Sequence, residues 1–158
     1  MSARTNIGGK LYIGVDGTDA DLPVAENTDL TDTAFAALNW TEIPNVGTIG
    51  DTGVEQNMVS YPTWGERLTA QLKGSATGAQ AEIRVLDVAS DGMTALKAAA
   101  AVTDLNNYAF KVEWPDGKIE NLRGVVGAPS YTKGSNEDFA EAVFMLAINQ
   151  EPVFDEAP

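Results

Sequence analysis

Tyr108-Ala109-Phe110-Lys111-Val112-Glu113-Trp114-Pro115-Asp116-Gly117-Lys118-Ile119-Glu120-Asn121-Leu122-Arg123-Gly124-Val125-Val126 is the stretch that decides the fold class. Tyr108, Phe110, Val112 and Trp114 occupy alternate positions, so an extended backbone places all four side chains on one face. A helix would spread the same residues around its circumference. Asp116-Gly117 then supplies a strong hairpin turn signal, because glycine accepts positive φ without a Cβ penalty. The return strand is expected from Lys118 to Val126. The chain therefore contains at least one antiparallel pair with an aromatic face.

Working outward, Ala81 to Val88 reads as another strand. Before it, Arg67 to Lys73 alternates strictly, with Leu68, Ala70 and Leu72 on the expected core face and residues 74–78 as the turn between. Asp91 is a plausible N-cap for an alanine-rich helix over about residues 92–102, bearing Leu96. Phe139 to Ile148 is a long strand with apolar residues on both faces, which implies burial on both sides. Upstream, Lys10 to Val15 is a short strand, and Asp16 to Asp21 is a turn. Thr33 to Leu38 offers one helical turn after a Thr or Asp cap. Trp40 to Val46 suits a strand interrupted by Pro44, and residues 47–64 read as a long loop or flexible hairpin, a length that tends to be functional or mobile. The order predicts a mainly β single domain over 1–158. It is an antiparallel β-sandwich or barrel with one flanking helix, an N-terminal arm at 1–9 and a short acidic tail at 151–158. The expected core is Trp40, Leu68, Leu72, Leu96, Tyr108, Phe110, Trp114 and Phe144.

Composition narrows the chemistry. The chain has 158 residues, 44% hydrophobic and 21% charged, with no cysteine and no histidine. Disulfides and thiolate zinc sites are thereby excluded, and the commonest general base and transition-metal ligand are missing. No window approaches the roughly 20 apolar residues of a membrane helix, and residues 1–6 lack a hydrophobic signal region. The net charge of −13 is unevenly placed. Residues 66–133 hold eight acids and eight bases, residues 1–65 nine acids against Arg4 and Lys10, and residues 134–158 six acids and no base. Wrapping nucleic acid requires clustered Lys and Arg, which this balance does not provide. Acidic flanks either confer solubility or repel a polyanion.

Sharper chemical readings find little support. Asp16, Asp19 and Asp21 gather oxygens as calcium prefers, but without the spacing or closing glutamate of a helix-loop-helix site. Gly47, Gly50 and Gly53 imitate a phosphate cradle, yet no Gly-Lys-Ser/Thr follows. Paired carboxylates for glycoside hydrolysis are available among the 23 acids, without a motif to select a pair. Exposed aromatics could form a sugar-binding platform, which keeps a carbohydrate- or surface-binding β-sandwich as the alternative. Tyr61 and Trp64, beside Pro62 and glycines in a polar stretch, suit an anchor buried only against another chain.

The marks taken in order are Trp40-Thr41-Glu42-Ile43; Gly47, Gly50 and Gly53; Val59-Ser60-Tyr61; Gly74 and Gly78; Asp91-Gly92 before Leu96; Trp114-Pro115-Asp116-Gly117; and Ala147-Ile148-Asn149-Gln150-Glu151-Pro152. This series resembles the tail tube (major tail) protein of long, non-contractile-tailed bacteriophages, over roughly the central two-thirds of the chain. The resemblance implies a non-enzymatic virion protein without cofactor or metal, forming hexameric rings that stack into a tube for DNA passage. It implies assembly in the bacterial host cytoplasm around a tape-measure protein, from a tail-tip initiator to a terminator, with double-stranded DNA in transit and no membrane partner. It makes the arm before Lys10 and the loop at 47–64, with Gly47, Gly50, Gly53, Tyr61 and Trp64, the assembly elements, mobile in the free monomer. Were strands 67–73 and 81–88 in the channel wall, Arg67, Thr69, Gln71, Lys73, Glu82 and Arg84 would face the lumen. Tube subunits of contractile tails and related injection machines share this fold and remain an alternative. With the chain ending soon after Pro152, no additional immunoglobulin-like domain is expected.

Overall fold

Alternation of apolar and polar residues, the signal that placed Tyr108 to Trp114 in a strand, recurs through most of the chain. The computed structural model describes residues 8–62, 64–65, 67–136 and 139–155. In chain order the elements are β1 (Lys10–Asp16), β2 (Asp19–Pro23), α1 (Asp32–Ala36), β3 (Asn39–Ile43), β4 (Val46–Ile49), β5 (Val54–Tyr61) and β6 (Ala70–Gly78). There follow β7 (Gln80–Leu86), α2 (Asp91–Ala99), β8 (Tyr108–Glu113), β9 (Ile119–Val126), β10 (Ser130–Thr132), β11 (Glu141–Ile148) and β12 (Val153–Asp155). The fold is mainly β and antiparallel, as the sequence predicts.

The main sheet runs β3-β1-β8-β9-β11-β7-β4, with β2, β10 and β12 as short additions on β1, β11 and β9. Seven strands laid flat would separate its outer members by about 29 Å at ~4.8 Å per strand. Yet β3 and β4 are joined by only Pro44 and Asn45, a link of about 11 Å at most. The sheet must therefore curl until its ends approach, giving an incompletely closed barrel. Asn45 makes the corner at φ 62, and its carbonyl accepts from Leu86 N at 3.1 Å. Leu11, Ile13, Ile83, Val85, Phe110, Leu122, Phe144 and Leu146 fill the interior.

Helix α2 covers this core with Met93, Ala95, Leu96 and Ala99. Its cap is Ser90 rather than Asp91: Ser90 Oγ accepts from Met93 N at 3.1 Å, leaving Asp91 in the first turn where the helix dipole favours an anion. It ends at Ala99, short of the expected 102. Gly92 is required by packing, since a Cβ there would lie 2.0 Å from Glu42 O on β3. The β8–β9 turn has three loop residues, with Trp114 N donating to Lys118 O at 3.0 Å and Gly117 at φ 92.

Several expectations are corrected. The strand predicted at 67–73 is β6 and starts later; it pairs only with β5, as a separate two-stranded ribbon. Leu68 and Leu72 are 84% and 65% exposed instead of buried, because among the described residues no second layer covers the ribbon. Residues 74–78 do not turn. Gly74 and Ser75 oppose the single residue Asn57, a bulge within the ladder. Of the two readings of residues 47–64, a long loop or a flexible hairpin, the structure has the second in part: β4, a short crossing segment, and β5 as the first strand of a two-stranded ribbon. Trp40 is half-buried on the outer face, where Lys111 Nζ sits 5.1 Å from its ring and 4.5 Å from that of Tyr12. The tail at 151–158 contributes β12, with 156–158 outside the described residues; so are 1–7 of the arm. Leu96, Tyr108, Phe110 and Phe144 are buried, and Trp114 packs at the core's margin.

Candidate assembly surfaces

The β5–β6 ribbon has no buried residue. Directly opposed residues of an antiparallel pair share a face. Val59 faces Leu72 and Tyr61 faces Ala70, which makes one side of the outer ribbon apolar. Met58 faces Lys73 and Ser60 faces Gln71 on the other. At the tip Trp64 is fully exposed beside Gly65, whose φ of 84 no ordinary L-residue adopts without strain. An isolated two-stranded ribbon is marginal in water, and a contiguous apolar face on one marks an interaction surface.

Gly47 lies on β4, and Gly50 and Gly53 on the segment leading to the ribbon. Gly50 N donates to Glu82 O at 2.7 Å, and a Cβ on Gly50 would lie 2.8 Å from Glu82 N, so this segment hugs β7. Ala79 N donates to Gly53 O at 2.9 Å, closing the ribbon's base. Gly78 sits beneath β11, where a Cβ would come within 1.7 Å of Ile148 O.

The six residues considered for a channel lining are not brought together. Gln71 and Lys73 lie on the ribbon's polar face, and Arg67 and Thr69 lie at its tip outside the strand. Glu82 and Arg84 project from β7 in the main sheet, where Arg84 Nε donates to Glu82 Oε1 at 2.5 Å. No ladder connects β6 to β7.

Where the barrel fails to close, a groove of about 540 Å³ lies between residues 46–52 and the inward side chains of Leu11, Val112, Trp114 and Glu120. Glu120 is 6% exposed and accepts a hydrogen bond from the Thr52 hydroxyl. No Lys or Arg among the described residues pairs with it.

Elsewhere the barrel carries a polar clamp that sequence reading missed. Arg123 is 5% exposed; it donates to Asp29 Oδ1 at 2.7 Å, Gln150 Oε1 at 3.0 Å, Asn149 O at 3.1 Å and Glu26 O at 3.2 Å. Gln150 in turn accepts from Leu30 N at 2.8 Å and donates to Leu30 O at 2.6 Å. Asn149 Nδ2 donates to Asn107 Oδ1 at 2.7 Å. Through these bonds Asn149 and Gln150 of the closing sequence mark hold residues 26–30 on the sheet. The available signal was a lone cation amid the apolar residues of β9.

Titrating groups are few. The Tyr108 phenol is pushed up to about 12, first by burial and then by donating to the Asp104 carboxylate. Asp16 is held below its ordinary range by the Thr18 N–H and hydroxyl, at 2.9 and 3.0 Å. Asp21 is raised by its hydrogen bond with the neighbouring Asp19 carboxyl. Asp16 ends β1 and Asp19 and Asp21 lie in β2, and among the described residues no three acids gather as a metal site. No helix among the described residues is long and apolar enough to cross a membrane.

No family of known sequences and no curated protein matches the chain. Solved structures do. A chain of the anti-feeding prophage baseplate, determined by cryo-EM with six-fold symmetry, superposes with a TM-score of 0.63 at 9% identity, covering 99% of this chain and 98% of that one. A chain from the tail of an empty GTA particle, refined helically with C6 symmetry, gives 0.57 at 17% identity over 89% and 98%. The fold is thus one found in six-fold tail and baseplate assemblies.

Proposed function

We propose that this chain is a non-catalytic structural subunit of a phage-tail-like particle. It associates with copies of itself into hexameric rings that stack as a tube through which DNA passes. The observation that carries the reading is the β5–β6 ribbon, an apolar surface with no cover among the described residues, on a fold that recurs in C6-symmetric tails. Free sheet margins invite pairing, and closure in a ring removes them. With a net charge of −13 and no cluster of cations, the subunit has no means of gripping phosphates, which suits a conduit for DNA. A tape-measure protein, a tip initiator and a terminator are the partners this reading requires, in a virion assembled in the host cytoplasm. The sequence resemblance favours a non-contractile tail.

Replacing residues 57–75 by Asn-Gly leaves Gln56 and Ala76 joined by a two-residue hairpin turn and removes the apolar tip. We expect the shortened chain to keep the cooperative thermal unfolding of the barrel body and to form no tubes in negative-stain micrographs, where the full chain forms them when concentrated or seeded. Normal tubes from the shortened chain would refute the ribbon's role. The baseplate similarity at a TM-score of 0.63 favours a second reading, a subunit that stops at one ring. Closed rings that never elongate would select it.

A further inference from the structure

The groove left where the barrel fails to close carries one polar group that the fold satisfies only in part. Glu120 is 6% exposed and shares its strand face with Leu122, opposite Val112. One of its carboxylate oxygens accepts from the Thr52 hydroxyl, and the other has no partner among the described residues. Lys118, two positions away, holds its ammonium 5.0 Å from the Phe154 ring and forms no ion pair with Glu120. A carboxylate withdrawn from water with a single hydroxyl as donor is costly unless a cation completes it.

The lining of the groove narrows what that cation is. Its volume of about 540 Å³ lies in the range of small-molecule sites. Leu11, Ile49, Val112 and Trp114 wall it, and Asp51 and Glu120 are the only charges on its lining among the described residues. Anions are therefore repelled. Calcium-like ions take six or more oxygens, which two carboxylates among aliphatic walls do not supply. A guanidinium binds best through both oxygens of a carboxylate, and Thr52 already occupies one. A primary ammonium is a point charge and needs only the free oxygen. The Thr52 hydroxyl, having donated to Glu120, keeps lone pairs that accept from the same ammonium. Asp51, exposed at the mouth, can meet a second ammonium, with the aliphatic walls covering the methylenes between.

We propose that the groove binds a linear aliphatic amine, with one ammonium on Glu120 and Thr52 and the other towards Asp51. The site is complete within one chain, and the proposal does not rest on the tube reading.

The full chain, dilute enough to stay unassembled, is titrated with putrescine while its backbone amide resonances are followed. At about 0.15 M salt, attraction to scattered surface acids is largely screened, whereas a buried pair is not. Saturable shifts confined to residues 47–52 and the neighbourhood of Trp114 and Glu120 are expected. The amine n-butylammonium should shift the same amides, and n-butanol, with the same alkyl chain and no charge, should not. Glu120→Gln is expected to weaken putrescine binding by at least about tenfold. Asp51→Asn should weaken putrescine by about two- to threefold and leave n-butylammonium unchanged, because only the diamine reaches the mouth. The comparison of amine with alcohol on the unmodified chain decides the matter even if Glu120→Gln does not fold. Equal shifts from n-butylammonium and n-butanol would reveal an apolar crevice and overturn the proposal. Shifts that never saturate, spread over the acidic flanks and persist in Glu120→Gln would reveal diffuse charge attraction and overturn it equally. Tighter binding of n-butylguanidinium than of n-butylammonium would overturn the assignment of the ammonium to the single free oxygen.

Discussion

The barrel body and the β5–β6 ribbon are built from the same alternating pattern, and they differ only in what lies against them. In β8, Tyr108, Phe110 and Val112 alternate and are buried, because they belong to the one core that the curled sheet and α2 enclose. In β6, Ala70 and Leu72 alternate with Gln71 and Lys73, and all four are exposed. Period-two hydrophobicity therefore reports a strand with one apolar face, and says nothing about whether the cover for that face belongs to the same molecule. In the body the cover is intramolecular. In the ribbon, on our reading, another copy supplies it.

Paired substitutions test this contrast most directly. Phe144→Ala removes a fully buried ring from the body and should cost about 3–5 kcal/mol of folding stability. Leu72→Ala on the ribbon should leave the denaturation midpoint within about 0.5 kcal/mol of the parent, as for other exposed sites. A loss for Leu72→Ala comparable to that for Phe144→Ala would mean the ribbon folds onto the body, and the comparison would collapse. Next in size is Arg123→Ala. Its loss takes one of two donors from Gln150 Oε1, which keeps Leu30 N, and removes the Arg123 donor from the carbonyls of Glu26 and Asn149, at about 2–4 kcal/mol. Asp29, whose side chain is exposed, should contribute far less when replaced by Ala, since solvent screens its half of the pair. Equal losses from the two replacements, measured by urea denaturation, would contradict this division.

The sequence disclosed what local pattern encodes and withheld what depends on contact at a distance. The β8–β9 hairpin was legible because Trp114 to Gly117 carries its turn chemistry within a few residues. α2 was legible from its alanines and cap, although Ser90 had the better side chain for Met93 N than Asp91. The destination of β6 was not legible, because the decision between covered and uncovered is made by strands far along the chain. The same holds for Gly78. Its role is to let Ile148 O approach, a contact between residues 70 positions apart that no local reading can supply. Glu120 alternates with Leu122 and pairs with Val112, so it lies on the apolar face of its strand, a position that charge alone gives no reason to expect. The curl of the sheet at Pro44 and Asn45 then brings residues 46–52 against that face, a juxtaposition that no local reading supplies.

The smallest effect concerns the body's polar seam at Tyr108, which marks where the barrel ties down residues 24–27. Ala25 bridges to Tyr108, and Glu26 N donates to Asn107 O at 2.7 Å. With the phenol pushed up to about 12 in the folded chain and near 10 when unfolded, the folded state keeps a proton that the unfolded state releases between those values. The stabilisation is therefore complete below about pH 10 and lost as the pH rises towards 12. Asp104, held low chiefly by the same hydrogen bond, contributes in the opposite direction: its share is present above the ordinary carboxylate range and fades on acidification. Tyr108→Phe should flatten the alkaline fall in the denaturation midpoint and remove the last-ionising step from an ultraviolet titration of the four tyrosines. Because the ring still fills the core, stability at neutral pH should drop by only about 1 kcal/mol, the worth of one hydrogen bond. An unchanged alkaline slope would mean that the Asp104 contact opens before the phenol ionises. Residues 24–27 would then belong with the ribbon among the parts that the barrel does not hold.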